Sequence, residues 1–195
     1  MNILLLRLAG PMQSWGTQSR FTIRDTGFEP SKSGVIGLVC AALGRPRSAS
    51  IEDLAELRMG VCVDREGRMA SDYHTTLTVI KASGAKPKLG EAVVSTRYYL
   101  ADADFLVGLE GDNLQLLEEI DAALANPRWP LYLGRKSFPL GEPVRLGDGL
   151  RQNQKLRQAL LTCPRCQRAD DNKITDLRLV LENSEGEAVR IDQPI

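Results

Sequence analysis

Histidine occurs once in the chain, at His74, so acid–base chemistry built on imidazole would have to draw its second group from Tyr or Lys. Net charge is absent as well: 25 Lys and Arg balance 25 Asp and Glu. That balance argues against binding nucleic acid through bulk charge. No apolar run approaches the ~20 residues of a membrane span. The short run at residues 3–6 has no basic stretch before it and no small-residue cleavage site after it. No secretory signal is therefore expected, and a cytoplasmic location is. Cysteine is scarce, four in all, which suits free thiols in a reducing compartment. What is present is ordinary for a globular protein with a sizeable core: 43% hydrophobic and 26% charged residues.

The charge balance is uneven along the chain. Residues 1–50 carry a net +4, residues 51–127 a net −7 and residues 128–195 a net +3. Basic ends around an acidic middle suggest a binding face and an opposite face turned to solvent or protein, unless folding scatters them. Residues 2–8 read as a buried strand closed by Gly10-Pro11. Residues 32–43 read as a helix. Ser31 caps its start, Val35, Ile36, Val39, Ala42 and Leu43 hold helical spacing, and Gly44 with Pro46 stops it. Strands are expected at 59–64, 69–80, 92–100 and 103–109. The middle two flank a polar segment with Lys81, Lys86 and Lys88, which predicts a long hairpin with a mobile tip. Asp112 is expected to cap a second helix on Leu114, Leu117, Ile120 and Leu124. A further strand is expected before Gly134. Beyond it come a helix near 152–161 and strands at 176–181 and 188–191. This order is the split layout of an α+β, ferredoxin-like or RRM-like domain. It occupies residues 1–140, with the hairpin at about 73–100, and leaves 141–195 as a small β-rich C-terminal extension.

Three stretches could carry chemistry. The loop after the first strand offers polar Gln13 and Ser14, the ring of Trp15, and the cations Arg20 and Arg24. Stacking faces, base-edge hydrogen bonds and phosphate-seeking cations are what single-stranded RNA recognition uses. A core Trp15 with solvated arginines is the alternative. Lys32, Ser33 and Gly34 begin a helix, where backbone N–H groups attract anions. An ordinary capped helix packed through Gly34 fits equally, and no Walker spacing precedes it. Arg135, Lys136 and Ser137 follow Gly134 in a turn that suits a phosphate, or a solvated basic turn. Trp129 and Tyr132 read as core residues. Cys163 and Cys166 have the spacing of half a zinc knuckle. Cys40 and Cys62 form no second half, so no metal is expected.

The stretches 6–16, 30–44, Asp72-Tyr73-His74-Thr75, 97–103, 132–141 and Asp192-Gln193-Pro194 together resemble one family. They are similar to CasD-type subunits of subtype I-E CRISPR Cascade, within the RAMP superfamily. The resemblance implies an RRM-like domain with a protruding hairpin thumb, mapped to Lys81, Lys86, Lys88 and the flanking strands. It implies a non-catalytic subunit without cofactor or membrane contact. It implies partners too: the 5′ handle of crRNA, the Cascade backbone subunit and the Cascade large subunit. Relatives of another subtype cut RNA, so a metal-independent endoribonuclease using His74 is the rival. A protein-interaction domain without an RNA role is the third reading.

Overall fold

The computed structural model describes residues 1–19, 22–80, 84, 90–164 and 178–182. The first strand, β1 (Asn2–Ala9), is buried along almost its whole length because both of its faces are covered. Leu4, Leu6 and Leu8 point into the main core, while Ile3 and Leu5 pack in a second, smaller cluster. This two-sided burial explains a strand that is apolar without alternation. Two short strands follow, β2 (Met12–Gln13) and β3 (Ile23–Arg24). Helix α1 (Lys32–Leu43) spans the expected residues, and the Ser31 hydroxyl accepts from the Gly34 N–H at 3.3 Å. After a short α2 (Glu52–Ala55) come β4 (Arg58–Arg65), β5 (Arg68–Leu77), β6 (Ala92–Ala101) and β7 (Asp104–Gly111).

The second long helix, α3 (Leu114–Ala125), is capped by Asn113, whose side chain accepts from the Leu116 N–H, rather than by the expected Asp112. Leu116, Leu117, Ile120 and Leu124 are its buried face, and Leu114 lies half-buried at its margin. Then come β8 (Arg145–Gln152), α4 (Leu156–Thr162) and β9 (Arg178–Leu181). The main sheet has the order β8-β1-β7-β4-β9, antiparallel throughout. The core formed by α1 and α3 covers one face. Leu156, Ala159 and Leu160 of α4 cover the other. A second sheet has the order β2-β6-β3, with β5 paired to β6. The fold is therefore mixed α+β with mostly antiparallel sheets and few helices.

Two expectations need correction. No strand forms before Gly134; residues 131–133 belong to no regular element. The strand that closes the main sheet is β8, which begins eleven residues after Gly134, inside the C-terminal extension, where no strand was expected before residue 176. Its sequence holds two glycines and three charged residues, a poor strand composition. Pairing with β1 overrides that composition, and the pairing carries a register shift between Leu4 and Leu6. The main sheet thus draws on residues on both sides of the boundary expected at 140. The expected strand at 188–191, the first residues of that at 176–181, and the tip with Lys81, Lys86 and Lys88 lie outside the described residues. Among the described residues, no helix is long and apolar enough to cross a membrane.

Candidate nucleic-acid interface

The loop after β1 does not expose its tryptophan. Trp15 is 1% exposed and packs in the main core. Its indole N–H donates to Gln13 Oε1 at 3.1 Å. The Gln13 amide in turn donates to the carbonyls of Leu8, at 2.9 Å, and Ala103, at 2.8 Å. One buried side chain thereby joins the exit of β1 to the entry of β7. Ser14 is buried too, and its N–H donates to the Leu133 carbonyl at 3.1 Å. The expectation that Gln13, Ser14 and Trp15 face bases is therefore corrected: all three are buried, Gln13 and Trp15 bond each other, and Ser14 bonds neighbouring backbone carbonyls. Trp129 departs the other way. Expected in the core, it is 43% exposed, while Tyr132 is half-buried.

The three motifs nevertheless converge. At Gly34 a Cβ would lie 2.9 Å from Cε3 of Trp15, so this glycine seats α1 directly on the indole. At Gly134, with φ +85°, a Cβ would lie 1.7 Å from the Ser14 carbonyl oxygen. The turn at 134–138 is thus locked onto the Trp15 loop by backbone contact that only glycine permits. Lys32 does not stand free at the helix start. Its ammonium pairs with Glu182 at 2.8 Å, and Glu182 also accepts from the Met59 N–H. Ser33 lies 3.5 Å from the Ser31 hydroxyl.

Cations gather where the second sheet meets this turn. Arg24 is exposed on β3 and lies beside Arg97 of β6 in the strand register. The Arg135 guanidinium donates to the carbonyls of Tyr98, at 2.9 Å, and Arg24, at 3.3 Å, and lies 5.3 Å over the Phe138 ring. Burial pushes the Arg135 pKa down, and the neighbouring charges of Arg97 and Arg24 push it further; Asp25 and Asp72 oppose them. Asp25 is engaged with the Ser19 hydroxyl and the Gln18 N–H. Lys136 and Ser137 are exposed on the same turn. Arg97, whose Nε donates to the Ser95 hydroxyl at 3.0 Å, was not singled out from sequence. Its signal lay in the alternation Ser95, Arg97, Tyr99, which sets Arg97 on one face of a strand.

His74 sits on β5 with Nδ1 3.6 Å from Asp72 Oδ2, half-exposed. The register places His74 opposite Ser95 and Asp72 opposite Arg97, so all four share a face. Arg20 and Cys166 lie outside the described residues. Burial raises the Cys163 thiol pKa, and Cys62 is buried beside Asp64.

The structure is a mixed α+β protein with Arg24, Arg97 and Arg135 gathered beside its second sheet. The chain belongs to the CRISPR-associated protein family Cas5, whose family model matches residues 3–194. It is similar to the CRISPR system Cascade subunit CasD of Escherichia coli strain K12. The two are 38% identical over 162 residues, which is 74% of this chain and 70% of that one. A Cas protein solved as a crystal structure is 46% identical, with a TM-score of 0.69 over 94% of this chain and 81% of that one. A chain of a CRISPR RNA-guided surveillance complex is 41% identical, with a TM-score of 0.66 over 75% of this chain and 64% of that one. The resemblance to CasD-type subunits drawn from the sequence is borne out.

Proposed function

We propose that the chain is a non-catalytic subunit of a CRISPR interference complex that holds the 5′ handle of crRNA and caps the backbone assembly. The gathering of Arg24, Arg97 and Arg135 carries this reading, because three neighbouring guanidiniums outnumber the two carboxylates beside them, Asp25 and Asp72, and the excess charge suits phosphate. Lys136 and Ser137 extend the site along its turn. Gln13, Ser14 and Trp15 serve it as scaffold. Lys32, with Ser33 and Gly34, joins when RNA phosphate displaces Glu182. Arg20 and the thumb lysines Lys81, Lys86 and Lys88 add contacts along the handle. The order β8-β1-β7-β4 supports a ferredoxin-like, RRM-like core, and the paired β5 and β6 support a thumb. The backbone subunit and the large subunit are the protein partners, and the cytoplasm is the setting.

The test is binding of handle RNA across a salt series. Replacing Arg24, Arg97 or Arg135 with Ala should each shallow the salt slope by about one released counterion. Unchanged slopes overturn the site. The rival reading rests on His74 and Asp72 beside the same arginines, a base oriented toward a phosphate site. His74→Ala should leave guide maturation intact; accumulation of uncut precursor would transfer the assignment to a nuclease.

A further inference from the structure

Guanidiniums brought to one place repel one another, and a long side chain under that repulsion swings out to water unless something holds it. Arg97 feels the charges of Arg24 and Arg135 and yet is held. Its Nε donates at 3.0 Å to the hydroxyl of Ser95, two residues back on the same face of β6. Ser95 is 8% exposed, so the anchor lies beneath the arginine, where water competes little for the bond. Among the described residues Arg97 makes no ion pair. Asp72, opposite it in the register, lies 3.6 Å from His74 Nδ1 instead.

An arginine fork carries N–H groups on Nε and on both Nη nitrogens. With Nε given to Ser95, the side of the Arg97 fork is closed, and its two terminal nitrogens are left as a matched pair of donors. Such a pair meets two oxygens of one phosphate. Arg135 is fixed in another way, with Nη2 given to the backbone carbonyls of Tyr98 and Arg24. Of these two arginines, Arg97 is the one whose orientation is set while both terminal nitrogens stay open.

We propose that Ser95 is a positioning residue, which presets Arg97 to grip one RNA phosphate end-on through its two Nη nitrogens. The inference rests on the RNA-binding reading proposed above and adds how that grip is prepared. An arginine ordered only on binding gives up its rotamer freedom at that moment, whereas one already held has given it up in folding. The Ser95 hydroxyl is uncharged. It therefore sets the strength of the grip and not the number of phosphates neutralised.

Binding of a synthetic 5′-handle RNA oligonucleotide to the full chain, titrated across a salt series, tests this. Ser95→Ala should weaken binding about fivefold and keep the wild-type salt slope, since every cation remains. Ser95→Thr keeps the hydroxyl and should bind as wild type does. In an Arg97→Ala background, Ser95→Ala should cost nothing further. An equal loss in both backgrounds overturns the proposal and makes Ser95 a packing residue. Wild-type binding by Ser95→Ala overturns it as well. The Arg97 Nε–H resonance in the RNA-free chain gives a second readout by NMR. Its exchange with water should be slow in wild type and Ser95→Thr and fast in Ser95→Ala; fast exchange in wild type overturns the proposal. Arg97→Ala separates the two readings. A shallower slope there, with Ser95→Ala unaffected, defeats this inference alone, whereas an unchanged slope defeats the RNA site and this inference with it.

Discussion

At the scale of single residues, Trp15 and Trp129 exchange the places expected of them. Composition alone does not say which of two tryptophans is buried. Trp15 follows Gln13, whose amide reaches two backbone carbonyls and the indole N–H, and a buried indole requires such a partner. That partnership depends on chain pairing 90 residues away and leaves no trace in local pattern. Trp129 follows Arg128, whose N–H donates to Ala42 at the end of α1; the backbone is anchored there and the ring left outside. Trp15→Ala should therefore cost stability, about 3–5 kcal/mol in urea unfolding. Trp15→Phe should fold and leave the salt slope for handle RNA unchanged. A lost slope in Trp15→Phe would return the indole to the binding surface.

Among elements, what the sequence made legible was what local rules control. The span of α1, its serine cap and the period-two strands β5 and β6 follow from spacing and end residues. Strand β8 was not legible, because its place is set by β1 and not by its own glycine-containing composition. The same holds for the site. Arg24 and Arg135 were named from basic stretches in sequence, but only the parallel pairing of β3 with β6 puts Arg97 beside them. The turn at 134–138 is the element on which that grouping depends. Gly134→Ala sets a Cβ at 1.7 Å from a carbonyl oxygen in a left-handed backbone, so it should cost roughly 3 kcal/mol or more. A lowered melting temperature, with RNA binding weakened through displacement of Arg135, checks it. A variant as stable as wild type would mean the turn is free to move off the Ser14 loop.

For the whole molecule, the main sheet carries a buried ionic cluster on its α4 side. Arg7 meets Asp104 at 3.1 Å and Asp64 at 3.5 Å, all three nearly inaccessible. Burial raises the Asp104 pKa to about 6; Arg7 opposes this, while Asp64 and Glu142 add to it and Arg65 resists. The folded protein thus holds this proton more tightly than the unfolded chain does. The associated stability is present below about pH 4 and lost as pH rises to about 6. Across that window the contribution is on the order of 3 kcal/mol. Asp104→Asn should flatten the fall in unfolding free energy between pH 4 and 6, measured by urea titration. An identical slope in the variant would place the pH dependence elsewhere.

The strand order of the main sheet also bears on how the protein is made. Its inner strands β1, β7 and β4 are all synthesised by residue 111, while both outer strands, β8 and β9, come from the last third of the chain. A nascent chain paused before residue 145 therefore holds three apolar strands with two bare margins and no α4 to cover Ile3, Leu5 and Leu106. Pairing β1 with β7 spans about a hundred residues, which makes it slow. The ribosome thus releases a sheet from its middle outward, and the interval before its margins arrive is the period when chaperones have most to hold.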